Sequence, residues 1–288
     1  MAATPQLARK KIRPSAVAFG GLMLASLLFG LVALGVLLWQ VGSTGLGMLD
    51  WQFLTDYTSR RPSQAGIRAA LLGSLWIVGL VALIAFPIGV GAAIYLEEFA
   101  PRNRTTRFVE VNIANLAAVP SVVYGILGLA AFVRFAGFGR SIIAAALTLS
   151  LLVLPIIIVS AREALRAVPS SIRQGGLALG ATRWEAVRKL VLPAALPGIL
   201  TGTILALSRA IGEAAPLILV GAAVFIAVDP GSVSDSFTAL PIQIFNWTSM
   251  PQDAFREVAA AGIIVLVVAL LLLNAVAIVL RNRFTRKW

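Results

Sequence analysis

Six long apolar stretches constrain the fold of this sequence more than any other feature. The hydrocarbon core of a bilayer is about 30 Å thick and needs about 20 apolar residues per helix. Every stretch meets that length, and the prolines in the fifth lead us to expect that part of it tilts, breaks or leaves the bilayer. The sequence therefore predicts an all-α integral membrane protein with six transmembrane helices. The stretches cover about 15–41, 69–96, 111–133, 141–161, 192–226 and 258–280.

The basic residues predict the side of the membrane on which each connecting segment lies. Of the 24 Lys and Arg residues, 17 fall in alternate segments that include both termini, six fall on the other side, and Arg209 lies within a span. Because cytoplasmic loops carry an excess of Lys and Arg, we expect both termini in the cytoplasm. The predicted division is a basic N-terminus (1–14), a first helix with its outer loop (15–64), a transmembrane domain (65–280, with a cytoplasmic loop at 162–191) and a basic tail (281–288).

Composition excludes several classes of function. The chain is 59% hydrophobic and 12% charged with a mean hydropathy of +0.93, and its net charge of +12 sits in short clusters, so we expect no nucleic-acid partner. It contains neither Cys nor His, which removes thiolate chemistry, His-ligated metals and a Ser-His-Asp triad. A phosphate-binding loop needs Gly-Lys-Ser/Thr, and no Gly precedes Lys10, Lys11, Lys189 or Lys287. We therefore expect no cofactor and no ATPase site in this chain.

The segment 162–192 has helical composition although it connects two spans. Pro169 followed by Ser170 predicts a helix start and Gly180 a stop, and Thr182 with Glu185 forms a capping box that starts a second helix. These two short helices would lie on the cytoplasmic face. An amphipathic surface helix held by anionic lipid is the alternative interpretation. The second helix would place basic Arg183, Arg188 and Lys189 on one side and apolar Trp184, Val187 and Val191 on the other.

Two charged residues lie inside the fifth apolar stretch. Arg209 and Glu213 are one helical turn apart, and an Arg near the bilayer centre costs about 2.5–3.5 kcal/mol on insertion scales. One interpretation is a structural ion pair that only braces the helix. The other is that the guanidinium lines a path and binds an anion through two donors, while Glu213 partly neutralises it. Gly212 and Pro216 would let the helix bend or open there.

The segment 174–193 resembles the coupling loop of ABC import permeases, which reads Glu-Ala-Ala, three residues, Gly, nine residues, an aliphatic residue, one more, then Leu-Pro. Those spacings are met by Gly180, Leu190, Leu192 and Pro193, whereas the first triplet is Gln174-Gly175-Gly176 and lacks the negative charge. The resemblance implies a six-helix, type I ABC importer permease whose coupling helix sits in a groove of an ATPase subunit that binds ATP and Mg. It assigns coupling to Gln174, Gly175, Gly176, Gly180, Thr182, Glu185, Leu192 and Pro193.

The stretch 205–217 narrows the resemblance to phosphate-uptake permeases. It is similar to their motif Ala-Arg-Ala-Ile-Gly-Glu-Thr-Ala-Pro-Leu, with Ala214 in place of Thr. The stretches 94–98 and 119–125 also agree with these permeases, and 240–247 and 280–284 resemble the PstA-type subunit rather than its PstC-type partner. This implies a multi-pass permease of the bacterial or archaeal inner membrane that imports phosphate with a PstC-type permease, two PstB-type ATP-binding subunits and a PstS-type binding protein. The resemblance places Arg209, Glu213, Ser208, Ser121 and Tyr124 along the substrate pathway.

Other interpretations of individual residues remain open. Ser121 and Tyr124 could serve only close helix packing. Glu97 and Glu98 are expected to cap a helix end beside Arg102 and Arg104. Interfacial anchoring is expected of Trp39, Trp51 and Trp76.

Three rival functions also remain open. Molybdate, sulfate or phosphonate could replace phosphate, because a guanidinium does not choose among oxyanions. A proton-coupled secondary carrier would need a titratable relay, and only Arg209 and Glu213 are available within the spans. An intramembrane hydrolase would need a nucleophile with a base, or a metal, for which the sequence offers no motif.

Overall fold

A computed structural model describes residues 14–223 and 225–284, and every regular element in those ranges is helical. The termini 1–13 and 285–288, and with them most of the predicted basic segments, lie outside the described residues. The α-helices are α1 (Pro14–Gly45), α2 (Trp51–Thr55), α3 (Arg68–Ile94), α4 (Arg104–Ala117), α5 (Ser121–Gly128), α6 (Ile142–Arg166), α7 (Ser170–Ala178), α8 (Arg183–Ala186), α9 (Leu192–Gly212), α10 (Ala215–Val220), α11 (Leu240–Thr248) and α12 (Ala254–Phe284). A π-helical turn over Tyr95–Phe99 extends α3, another over Leu129–Phe135 extends α5, and a third over Val187–Val191 joins α8 to α9.

Five helices in the described ranges are long and apolar enough to cross a membrane, and a sixth crossing requires α4 and α5 together. These two helices meet at an angle of 101°. The prediction of a continuous third span over 111–133 is therefore wrong in its shape, although the count of six holds when the bent pair is one span. The bend falls before Pro120, which disfavours a helical conformation at the preceding residue and lacks the N–H that would continue α4.

The fifth span also differs from the prediction of 192–226. It begins at Arg183, because α8 runs through a π turn into α9 and is not a separate short helix, and it ends at Gly212. Pro193 and Pro197 are both accommodated within α9. The helix stops because Glu213 has an extended backbone (φ −82°, ψ 112°), and the missing N–H of Pro216 prevents the earlier turn from continuing.

The spans alternate between two ends of the bundle, which we call the basic end (residues 95–107 and 162–191) and the opposite end (residues 46–67 and 221–253). α3 begins beside Asp229 and finishes beside the end of α6. α9 and α12 are antiparallel, since Ser208 meets Asn274 and Thr201 meets Arg281. α1 approaches α12 only at the opposite end, where a Cβ on Gly45 would lie 2.6 Å from the backbone of Ala260. The described chain therefore starts and finishes at the basic end.

Small residues bring the central helices together. A Cβ on Gly202 of α9 would lie 2.3 Å from Ser160 Oγ of α6, and one on Gly128 would lie 2.1 Å from Thr148 Oγ1. This close contact buries a core between α3, α5, α6, α9 and α10. By contrast, α1 has no buried side chain in its apolar window. The tryptophans Trp39, Trp51 and Trp76 are all exposed, and their place at a membrane interface stays a prediction.

Candidate functional site

The pair Arg209–Glu213 forms at the end of the fifth span, where the helical structure breaks between α9 and α10. Arg209 lies in the last turn of α9, Glu213 is the first residue beyond it, and Arg209 Nε lies 3.3 Å from Glu213 Oε1. The Arg209 side chain is 52% exposed and the Glu213 side chain 18%. In the described ranges, no group accepts a hydrogen bond from Nη1 or Nη2 of Arg209. One edge of the guanidinium is thus held by the carboxylate, and the other presents parallel donors suited to an oxyanion.

α5 lies next to this break. A Cβ on Gly125 would lie 2.7 Å from Pro216 Cα, so α10 packs directly on α5. The predicted pathway residue Ser121 is the partly exposed first residue of α5. Within the residues that the structure describes, no hydrogen bond joins Ser121 to Arg209 or Glu213. The structure thus brings the break and α5 together without a direct link between these side chains.

Two other predicted pathway residues use their hydroxyl groups elsewhere. Ser208 Oγ lies 2.6 Å from Asn274 Oδ1 of α12 and 2.8 Å from the Ile204 carbonyl. The Tyr124 hydroxyl donates to the Leu116 carbonyl at 2.8 Å, which fixes the bend between α4 and α5. In this conformation both residues brace helices, in line with the packing interpretation of Tyr124.

The loop at the basic end has the local structure that the sequence predicted. α7 starts at Ser170, and Gly180 adopts φ +84°, a backbone conformation that favours glycine. The capping box is complete: Thr182 Oγ1 accepts from Glu185 N at 3.3 Å, and Thr182 N donates to Glu185 Oε2 at 3.0 Å. The chain therefore turns sharply between α7 and α8 in one defined geometry.

The triplet 174–176 is divided between two faces of α7. Gln174 is exposed and a Cβ on Gly175 would meet nothing within 4 Å, whereas one on Gly176 would lie 2.7 Å from Leu190 Cδ1. Leu192 and Pro193 form the partly buried start of α9. Trp184 was predicted on the apolar side with Val187 and Val191, but it is 55% exposed while the two valines are buried. α7 thus presents an open face at Gln174 and Gly175.

An ion pair that sequence reasoning missed anchors α7 to the second span. Glu98 is buried, and Arg173 Nε and Nη2 donate to its Oε1 at 3.0 and 2.7 Å. Arg173 also donates to the carbonyls of Leu165 and Val168, at 2.7 Å each. The expectation that Glu98 caps a helix beside Arg102 and Arg104 is wrong, because the folded loop supplies Arg173 as a partner 75 residues away.

Glu97 belongs to a second group of ion pairs at the same end, and contrary to the expectation it pairs with arginines of α6 and not with Arg102 or Arg104. It accepts from Arg166 Nε at 2.9 Å and from Arg162 Nη2 at 3.5 Å, while Arg162 Nη2 also lies 2.6 Å from Glu110 Oε1. α3, α4 and α6 are therefore tied together. Arg162 and Arg166 are one turn apart and lie at the same predicted membrane side as Glu97, which is the signal that could have found this group.

The segment 221–239 at the opposite end is held by local and distant contacts. Arg68 forms an ion pair with Asp229, with Nε 2.9 Å from Oδ1, and its guanidinium lies 5.6 Å from the ring centre of Tyr57. Backbone N–H groups of Gly231 and Ser232 donate to Asp235 at 2.8 Å each and lower the pKa of that carboxyl. The ion pair with Arg68 therefore holds the described part of this segment against the start of α3.

These features define a class of protein: a multi-pass membrane subunit with a charged pair at the end of one span and an ordered helical loop at the basic end. A sequence profile described as "Binding-protein-dependent transport system inner membrane component" matches residues 85–288. The chain belongs to this family and is the permease component of an ABC importer. Permeases of this kind associate with an ATP-binding subunit and a substrate-binding protein.

Relatives in several bacteria match most of the chain. The probable ABC transporter permease protein YqgI of Bacillus subtilis is 34% identical over 273 residues, covering 88% of this chain and 92% of the relative. The phosphate transport system permease protein PstA 1 of Mycobacterium tuberculosis (strain H37Rv) is 35% identical over 225 residues, covering 77% and 71%. PstA of Xylella fastidiosa is 32% identical over 262 residues, covering 89% of each chain.

Solved transporters share the fold. A bacterial alginate ABC transporter aligns with a TM-score of 0.69 at 16% identity, covering 95% of this chain and 96% of the other. An inward-facing methionine transporter, MetNI, aligns with a TM-score of 0.64 at 20% identity, covering 76% and 96%. At these identities the likeness concerns the fold alone.

Proposed function

We propose that this chain is one of two permease subunits of an ATP-driven importer of inorganic phosphate. The observation that carries the proposal is the exposed guanidinium edge of Arg209 at the break of the fifth span. Relatives named as phosphate transport permeases support the choice of anion, since two of them match 77% and 89% of this chain. Methionine and alginate transporters with the same fold show that the fold alone does not select the substrate.

The geometry of the pair explains how an anion would be held and released. A phosphate oxygen pair would accept from the Arg209 edge left open by Glu213, which occupies Nε at 3.3 Å. Glu213 repels the same anion and reduces the net positive charge. Binding at a transport site must be strong enough to admit the ion and weak enough to let it leave. The pair therefore serves as a transient binding site for phosphate during transport.

α7 is the coupling helix in this proposal. Its open face and the adjoining turn expose Leu177 (50%) and Leu179 (91%), which a groove on the ATP-binding subunit would cover. Nucleotide and Mg bind to that subunit, and the buried pair Glu98–Arg173 passes its motion to α3. The basic end then faces the cytoplasm, in agreement with the side expected from the excess of Lys and Arg. The partners are a PstC-type permease, two PstB-type subunits and a PstS-type binding protein.

Substitution of Arg209 tests the proposal. Arg209→Ala should abolish ATP-dependent phosphate uptake by the reconstituted transporter while leaving assembly and ATP binding intact, and Arg209→Lys should restore only part because it keeps the charge without the fork. Arg256→Ala is the matched control, since Arg256 also pairs at 3.3 Å with a nearby carboxylate but is 76% exposed. Glu213→Gln should alter uptake, and normal uptake in that variant would favour a purely structural pair. Unchanged uptake in Arg209→Ala would end the proposed role.

A second measurement tests the anion. Uptake of phosphate, sulfate and molybdate is compared in the same vesicles, each with its own binding protein omitted and then added. Of the three anions, only phosphate should show uptake that depends on ATP. Transport of sulfate or molybdate in its place would keep the permease class and replace the substrate.

A further inference from the structure

A cavity of about 650 Å³ opens at the basic end, between the end of α3, the start of α4 and the end of α6. Four arginines and two glutamates lie on its walls, which leaves an excess of two positive charges. It is separate from the Arg209 pair, which lies 17 residues beyond the start of α9, or about 25 Å along that helix at 1.5 Å per residue. The charged lining residues are Arg102, Arg104, Arg107, Arg166, Glu97 and Glu110.

The carboxylates on the walls are already engaged. Glu97 accepts from Arg166 Nε at 2.9 Å, and Glu110 accepts from Arg162 at 2.6 Å. Arg162 lies behind the wall with its side chain 9% exposed, and its Nε has no acceptor among the described residues. The field of this buried arginine adds to the positive potential of the cavity.

The remaining arginines of the cavity wall are not engaged in ion pairs within the described residues. Arg102, Arg104 and Arg107 form no ion pair with any carboxylate in the ranges 14–223 and 225–284, and all three are exposed. Three guanidinium groups that converge on one cavity favour an oxyanion with several acceptor oxygens. α4, a helix of 14 residues, begins at Arg104 and directs its first-turn N–H groups toward the same region.

We propose that this cavity binds a phosphoryl group, supplied either by the head group of an anionic lipid or by free phosphate. Arg104 and Arg107 contact its oxygens, and Arg102 closes the site. A phosphoryl group bound in the cavity competes with Glu97 for Arg166. The neighbouring residue, Glu98, forms the ion pair with Arg173 of α7. Occupancy therefore changes how firmly α3 and α6 are joined at the base of the coupling helix.

Direct binding tests the site on the intact transporter, purified with its ATP-binding subunits and carrying Arg209→Ala to silence the pathway pair. In the first arm, radiolabelled inorganic phosphate is titrated by equilibrium dialysis in phosphatidylcholine nanodiscs. In the second arm, phosphate is omitted and the phosphatidylglycerol retained from mixed nanodiscs is counted by native mass spectrometry. Saturable binding in the first arm identifies free phosphate as the ligand, and retention in the second identifies the lipid.

The double variant Arg104→Gln/Arg107→Gln should weaken whichever binding occurs by about tenfold per arginine, each equivalent to about 1.4 kcal/mol. Arg256→Gln is the control, because it removes an exposed arginine at the opposite end. Assembly is checked by size-exclusion chromatography, and loss of two exposed, unpaired side chains should leave it unchanged. Equal binding in the double variant and its parent, or no binding in either arm, would overturn the proposal.

Discussion

The pair Glu98–Arg173 should decide how firmly the coupling helix is held. Glu98→Gln keeps the shape of the side chain and removes the charge that two guanidinium N–H groups contact at 2.7 and 3.0 Å. Breaking a buried pair costs about 3–5 kcal/mol. The Arg173 side chain is 25% exposed and keeps two carbonyl partners, so we expect a smaller loss, about 2 kcal/mol. That free energy corresponds to about a 30-fold change in the local opening equilibrium.

Amide hydrogen exchange of peptides that cover α7 measures this opening directly. Exchange in Glu98→Gln should be about 30-fold faster than in the parent, and Arg173→Gln should act similarly. The double variant should fall short of the sum of the single effects, because both substitutions remove the same interaction. Phosphate uptake per ATP hydrolysed should fall in the same variants, since α7 would move without carrying α3 with it.

Glu163→Gln provides the matched control. Its side chain is 65% exposed and pairs with Arg166 at 3.2 Å within one helical turn, a type of pair that contributes about 0.5 kcal/mol or less. Amide hydrogen exchange of α7 in Glu163→Gln should differ from that of the parent by no more than about twofold. If exchange of α7 rises less than threefold in both Glu98→Gln and Arg173→Gln, the buried pair does not hold the coupling helix and the reasoning is refuted.

Five further substitutions test the loop at the basic end, the bend between α4 and α5, and the contact between α6 and α9. Gly175→Ala should stabilise α7 by up to about 1 kcal/mol and slow its amide hydrogen exchange, because a Cβ there meets open space. Gly180→Ala should destabilise the turn by about 1–2 kcal/mol, because Gly180 has a φ of +84°. Tyr124→Phe should lose the hydrogen bond to the Leu116 carbonyl and about 1 kcal/mol of folding free energy, seen as a lower Tm. The KM for phosphate should stay unchanged, and a raised KM would instead identify Tyr124 as a substrate contact. Gly202→Ala should lower the Tm of the purified transporter because its Cβ would lie 2.3 Å from Ser160 Oγ, while Gly79→Ala, with nothing within 4 Å, should leave the Tm unchanged.

Features that depend on neighbouring residues were predictable from the sequence. The capping box at Thr182 and Glu185 and the stop at Gly180 need only a few adjacent residues, and both form as expected. The bend before Pro120 also carried a local signal, but the apolar run through it led to a continuous span. Hydropathy measures length and composition, and it does not register a change of direction.

Features that depend on folding were not predictable in the same way. Glu98 and Arg173 are 75 residues apart in sequence, and Ser208 and Asn274 are 66 apart. Each contact exists only because folding brings distant segments together: α7 lies against the end of the second span, and the middle of α12 lies against α9. The pair Arg209–Glu213 was found because its members are one helical turn apart, although α9 ends before Glu213.

The π turn at Val187–Val191 has a consequence for comparing relatives. A π turn holds one residue more than an α turn, and each residue of an α-helix rotates the chain by about 100°. Because both kinds of turn complete about one revolution, deleting one residue there together with the π turn would keep the capping box on about the same face of the helix relative to Arg209. Alignments of relatives that lack this turn should therefore place a one-residue gap within 187–191. A one-residue deletion at that position would keep the faces of the helix aligned and shorten the spacing between Gly180 and Leu192 by one residue.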